Sequence, residues 1–158
     1  MGLLHYFLGL EIWQCSDGLF VSQGKYAREK LEKLNMHGCK PVDIPLPGVW
    51  RKEDATSAEV VDATVYRQLV GSLMYPVNTR PDICYAVNQL SQAMAKPTKL
   101  FWKAGKHVLR YLRGTLGYGL WYRQEDEVKL CGFTDVDWAG SPTDKTSSTI
   151  ISEIVCSG

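Results

Sequence analysis

The sequence lacks the cysteine pattern of a stapled or metal-bound domain. Its five cysteines (Cys15, Cys39, Cys84, Cys131 and Cys156) are scattered, odd in number and never form a C-x-x-C pair. That spacing excludes a disulfide framework and reads as reduced intracellular thiols. His37-Gly38-Cys39 is the nearest approach to a metal cluster and carries little weight as a zinc site. Long apolar runs are missing too. The opening MGLLHYFLGLEIW has no basic n-region, carries Glu11 and is too short to span a bilayer. Its sixth residue is Tyr6, where myristoylation requires Ser or Thr. The segment reads as a strand, with no signal peptide or transmembrane segment, and the chain as soluble and intracellular, cytoplasmic or nuclear. Low-complexity bias and charge excess are absent as well. With 45% hydrophobic, 11% aromatic and 22% charged residues and a net charge of +1, the composition is globular. At 158 residues the chain can bury a core as one domain or as parts of two.

A further absence is local. Residues 83–124 hold no acid but seven cations: Lys96, Lys99, Lys103, Lys106, Arg110, Arg113 and Arg123. Residues 125–158 reverse this, with seven acids against Lys129 and Lys145. Such a split points to a polyanion-binding segment followed by an acidic region that could hold a metal.

What is present orders itself along the chain. LLHYFLGLEIW and LFVSQ flank Asp17-Gly18 and predict a hairpin. KYAREKLEKLNMHG repeats Ala27, Leu31 and Leu34 at helical spacing, with Gly38 as terminator. Residues 39–62, with Pro41, Pro45, Pro47 and Gly48, read as a long exposed connection. Three more helices follow: 63–75, with Tyr66, Leu69, Val70, Leu73 and Met74 on one face; 81–95, opened by Pro81 and presenting Ile83, Val87, Leu90 and Met94; and 98–113. The strands YGLWYR and VKLCGFTD come last, separated by Glu125-Asp126-Glu127. No internal repeat is visible.

At about 100° per residue, Lys99, Lys103, Lys106, Arg110 and Arg113 share a stripe roughly 80° wide, opposite Phe101, Val108, Leu109 and Leu112. Solvation alone explains a charged helix face, but solvated faces ordinarily mix signs. Five cations in register repel one another unless an anion neutralises them, and a nucleic-acid backbone is such an anion. An anionic membrane is a weaker reading, because the apolar face is needed for packing.

GFTDVDWAG sets Asp135 and Asp137 into an apolar, strand-like run. A buried carboxylate is costly unless it is paired, hydrogen-bonded or bound to a metal. The acids therefore sit at a strand end in water, or one of them holds a cation.

The stretches LHYFLGLEI, GLFVSQGKYAREKLEKLNM, YRQLVGSLMY, NTRPDICYAVNQLSQAM, KHVLRYLRGTLGYGLWY and GFTDVDWAGSPTDKTSST resemble the carboxyl-terminal part of a copia-type retrotransposon Pol polyprotein, over about residues 3–148. The resemblance implies an α+β chain. Residues 1–23 would be the end of the reverse transcriptase palm, with a primer-grip-like hairpin. Residues 24–114 would be a helical, thumb-like bundle. Residues 115–158 would be a connection and a short antiparallel β segment resembling the start of a ribonuclease H fold. It also implies that Asp135 is a remnant ribonuclease H carboxylate and a ligand of Mg²⁺, a hard ion suited to oxygen donors. Asp137 would be a neighbour or turn residue. Two-metal hydrolysis needs several carboxylates around ions about 4 Å apart. The family's other carboxylates would lie downstream, Glu153 lacks their surroundings, and no Tyr-x-Asp-Asp of the polymerase site occurs in the chain.

The implied function is a fragment of a reverse transcriptase/ribonuclease H polyprotein. It would bind an RNA–DNA hybrid or other nucleic acid without sequence preference, through Lys99, Lys103, Lys106, Arg110 and Arg113, and would not be catalytic alone. The rest of the polyprotein is its implied partner, and no membrane is. The alternatives are a domesticated or decayed interaction module and, less favoured, an active Mg²⁺-dependent ribonuclease H within a larger assembly. Two departures from the family pattern carry expectations. Pro76 should end the preceding helix sharply. The tail IISEIVCSG should fail to complete its hairpin, leaving VKLCGFTD with an unpaired edge. Without a palm sheet to join, the N-terminal hairpin should expose apolar faces as a patch.

Overall fold

The computed structural model describes residues 5–48, 50, 59–124, 129–137 and 148–157. The fold is α+β, and the chain divides into two compact units, Met1–Tyr122 and Arg123–Gly158.

In the first unit four strands form a sheet in the order β1 (Tyr6–Phe7), β2 (Leu10–Cys15), β3 (Gly18–Ser22) and β4 (Gly119–Arg123). The expected hairpin of β2 and β3 is present, closed by the pair Cys15 and Gly18. The opening run, however, is two strands, not one. Leu8 (φ 48°) and Gly9 (φ 85°) are both left-handed and turn the chain between the paired residues Phe7 and Leu10. Positive φ at both central residues is the signature of the tight hairpin turn that matches strand twist. A leucine there is costly, and the Tyr75 hydroxyl, donating to the Leu8 carbonyl, holds the turn. β4 lies beside β3 because Gly119 has no side chain: a Cβ there would sit 2.3 Å from the Val21 carbonyl oxygen.

α1 (Gly24–Lys33) buries Ala27 and Leu31. It stops five residues short of Gly38, because Asn35 (φ 54°) takes the left-handed position. The amides of Asn35 and Met36 then bond the carbonyls of Glu32 and Leu31 at 3.0 and 2.7 Å, which is the Schellman closure of a helix end. α2 (Ala63–Met74) starts at Asp62, whose side chain accepts the Thr64 amide at 2.7 Å. It buries Tyr66, Leu69, Val70 and Leu73, while Met74, expected on the same face, is exposed. Pro76 does not end the helix sharply. Tyr75 keeps helical angles (φ −68°, ψ −43°) and the chain runs on as a 3-10 turn, Pro76–Asn78. As first residue of a new helical turn, proline forfeits no hydrogen bond. A second 3-10 turn, Pro81–Ile83, leads into α3 (Cys84–Ser91), and α4 spans Lys99–Gly114.

The core lies between the helices, with Leu31, Tyr66, Leu69, Leu73, Ile83, Leu90, Val108 and Leu109 essentially inaccessible to solvent. Gly105 lets α4 approach α2 closely: a Cβ there would meet Leu69 Cδ2 at 2.6 Å. The connection read as exposed is in part a packed element. Trp50 is buried and meets the Phe101 ring edge-on at 5.2 Å, and Val42 and Leu46 pack on the core beside it. Apolar area removed from water outweighs the loop-like composition there.

In the second unit β5 (Lys129–Asp137) pairs antiparallel with β6 (Ser148–Ser157), from Lys129 opposite Ser157 to Asp137 opposite Ser148, with an irregularity between Phe133 and Thr134. The expected unpaired edge of VKLCGFTD is therefore filled by the tail itself. Thr149, Ile150, Ile151, Ile154 and Val155 make that tail rich in β-branched residues, which favour a pleated partner.

Candidate nucleic-acid interface

α4 carries two faces. Ala104, Gly105, Val108, Leu109, Tyr111 and Leu112 are buried, while Lys99, Lys103, Lys106 and Arg113 are exposed and Arg110 is half-buried. The five cations predicted from the sequence thus emerge on the solvent side of one helix, and their surroundings differ. Lys99 forms an ion pair with Glu59, so its charge is met from within the chain. The Lys106 ammonium stands 5.3 Å from the centre of the Trp102 ring, a cation–π contact that steadies the side chain without cancelling its charge. Lys103 borders a hollow of about 150 Å³ with Leu46, Pro47, Trp50 and His107.

The two arginines bind backbone. Arg110 Nε donates to the Lys40 carbonyl at 2.8 Å and Arg113 Nε to the His37 carbonyl at 2.7 Å. His107 Nε2 lies 3.1 Å from the Ile44 carbonyl. The segment from His37 to Ile44 is thus laid alongside α4 by basic side chains of that helix. Each bond engages one of a guanidinium's five N–H donors and sets its plane, and a neutral carbonyl leaves the positive charge in place.

Arg28, on α1, joins this surface. With Glu32, His37 and Arg113 it lines a depression of about 330 Å³. No spacing signal marks it, since KYAREKLEK mixes both charge signs.

A second feature has no role that sequence spacing predicts. Arg80, in NTRPD, is buried. Its Nε and Nη2 donate to the two Asp82 carboxylate oxygens at 2.9 and 2.7 Å. Its Nη1 donates to the Thr115 carbonyl at 2.9 Å and Nη2 to Thr115 Oγ1 at 2.7 Å. Tyr111 donates to Asp82 Oδ2 at 2.8 Å, and the rings of Tyr111 and Tyr118 lie 5.5 and 5.2 Å from the guanidinium carbon. Burial alone would raise the Asp82 pKa, but hydrogen bonds from Arg80 and Tyr111 and the Arg80 charge hold it below its ordinary value. Burial, then the bond to Asp82, pushes the Tyr111 phenol up. This network fixes the start of α3 against the end of α4 and so sets where the cationic row points.

Asp135 lies in β5, in register with Ile150. Its side chain, like those of Asp137 and Glu153, lies outside the described residues. Among the described residues no group of three His, Cys, Asp or Glu side chains is placed to hold a metal ion, and no helix is long and apolar enough to cross a membrane.

Comparison with known proteins places these features in a lineage. The chain is 42% identical over 145 residues to the retrovirus-related Pol polyprotein from transposon RE2 of Arabidopsis thaliana, covering 92% of this chain and 10% of that protein. It is 40% identical over 158 residues to the corresponding polyprotein from transposon TNT 1-94 of Nicotiana tabacum, covering 94% and 12%. An uncharacterized mitochondrial protein of Arabidopsis thaliana is 40% identical over 149 residues, covering 94% and 62%. The chain thus spans less than two thirds of the length of these relatives, and about a tenth of the polyproteins. No family model and no solved structure matches it. On a likeness that runs through nine-tenths of its length, the chain belongs to the retrovirus-related Pol polyproteins of copia-type transposons.

Proposed function

We propose that this segment of a Pol polyprotein grips the sugar-phosphate backbone of a primer–template duplex, without sequence preference, along the solvent face of α4, and that it is not catalytic by itself. The observation that carries the proposal is the row Lys103, Lys106, Arg110 and Arg113 emerging on the solvent side of one helix, with Lys106 steadied by an aromatic ring and both arginines by neutral carbonyls. From Lys103 to Arg113 the helix rises about 15 Å, a length over which one strand of a duplex presents several phosphates. The remainder of the polyprotein would supply the reactive centres.

Salt dependence tests it. Four neutralised phosphates predict a slope of about −3.6 in log affinity against log salt, hence a loss of roughly 150-fold between 50 and 200 mM. The lysines are the residues to change, because both arginines also hold the segment from His37 to Ile44. In anisotropy titrations of a labelled RNA–DNA hybrid, Lys103→Gln with Lys106→Gln should lower the slope by about 2. Lys99→Gln should change it less, its charge being shared with Glu59. A flat salt response, or a double variant that binds like the parent, overturns the proposal.

A further inference from the structure

Strands β2, β3 and β4 each contribute a ring to a row across one face of the N-terminal sheet. Trp13 and Phe20 are register partners, with ring centres 5.6 Å apart and planes tilted by 42°; Phe20 and Trp121 follow at 6.2 Å and 35°. Cross-strand aromatic pairs stabilise a sheet, and this row is also open to solvent. Here Trp13 and Trp121 remain 48% and 47% exposed. Against the row lies a groove of about 310 Å³, bordered by Glu11, Trp13, Phe20, Lys25 and Arg28. The one acid in that set, Glu11, accepts the Lys25 amide through Oε2 at 2.8 Å, which fixes its side chain, and its single charge is set against the two cations Lys25 and Arg28. Arg28 and Leu116 border both this groove and the depression that holds Arg113, so the aromatic row leads by way of Arg28 to the end of the α4 cations.

We propose that this face is a stacking platform for an unpaired nucleic-acid strand, with bases on Trp13, Phe20 and Trp121 and phosphates met by Lys25 and Arg28. Flat apolar rings bordered by cations complement a ligand whose flat rings hang from an anionic backbone. A single strand offers both, whereas a duplex hides the ring faces in its own stack. The platform deepens the duplex-binding reading, resting on it for the class of ligand, yet uses residues distinct from the α4 row.

The test titrates the full chain with an oligothymidylate and, separately, with a hybrid duplex. Trp13→Leu and Trp121→Leu, which keep an apolar side chain in the sheet, should each weaken single-strand binding roughly 5- to 100-fold and leave duplex binding unchanged. The α4 lysine variants should weaken the duplex more than the single strand. Ring variants that bind the single strand like the parent overturn the platform whatever the duplex data show. A salt-insensitive duplex together with ring-dependent single-strand binding refutes the α4 reading and leaves the platform standing. Should the ring variants fail to fold, photocrosslinking of bromouridine-substituted RNA to the parent chain decides: adducts at Trp13 or Trp121 support the platform, and adducts only elsewhere overturn it. Self-association of the parent that the ring changes abolish would assign the face to a second copy and overturn it as well.

Discussion

Changing Asp82 to Asn isolates the network that aims α4. The substitution keeps shape and one acceptor but removes the charge opposite a guanidinium whose side chain is 6% exposed. Removing one partner of a buried ion pair costs about 3–5 kcal/mol. Two features reduce that figure: Asp82 is itself 34% exposed, and Arg80 keeps both bonds to Thr115. The expected loss is about 2–3 kcal/mol, read as a lower urea midpoint of the helical circular dichroism signal at unchanged m value. The proton linkage gives an independent signature. Because the folded carboxyl titrates below its ordinary 3.8, its contribution is complete above that pH and is lost as the pH falls through the lower, folded value. The stability difference between parent and variant should therefore shrink below about pH 3.8 and be steady through neutral pH. A variant within about 0.5 kcal/mol of the parent, or a difference that grows on acidification, would refute the assignment.

Gly119→Ala should destabilise the N-terminal sheet by more than 1 kcal/mol, roughly the scale of overpacking, since the new methyl would meet the Val21 carbonyl oxygen at 2.3 Å and Ser22 Cβ at 2.8 Å. Chemical denaturation followed by the fluorescence of the sheet tryptophans checks it, and an unchanged midpoint contradicts the close approach. With Asp135 as its one implied magnesium ligand, the isolated chain should leave the RNA strand of a hybrid intact in Mg²⁺. Cleavage that Asp135→Asn abolishes would show the chain to be a nuclease in its own right.

The helices were legible because burial imposes a period. Tyr66, Leu69, Val70 and Leu73 fall on one face of α2 in sequence and in space, and α4 begins and ends within a residue of its apolar pattern. Less was legible where contacts cross the chain. No local rule places Trp50 in the core, because its pocket is made by α4 residues fifty positions later, Leu100 and Phe101 among them. The turn at Leu8 was hidden because leucine seldom takes positive φ and its anchor, Tyr75, is distant in sequence. The pairing of β6 runs against the family pattern, from which the tail departs, and follows the β propensity of its isoleucines and valine. At the site, the stripe on α4 was visible from spacing. The acid that claims Lys99, the carbonyls that hold Arg110 and Arg113, and the addition of Arg28 were not, since each comes from another segment.

Those partners bear on what the row can do. Two unit charges about 6 Å apart repel by roughly 0.7 kcal/mol in water and about 3 kcal/mol at an effective dielectric of 20. A helix edge relieves that strain cheaply by facing an acid, as Lys99 does with Glu59. The two arginines meet carbonyls instead, and Lys106 meets a ring. Such contacts fix direction and leave the repulsion in place, to be relieved only when an external anion arrives. Under the proposed function, binding would gain that relief along with each phosphate contact, and it would lose little side-chain entropy because the guanidinium planes are already set. The same geometry explains why Arg80, among the described residues the one arginine paired with a carboxylate through two bonds, is buried against the end of α4: a cation whose charge is met inside the fold organises the surface, and under the proposed function Lys106, Arg110 and Arg113, whose contacts leave their charges in place, are the ones that would bind.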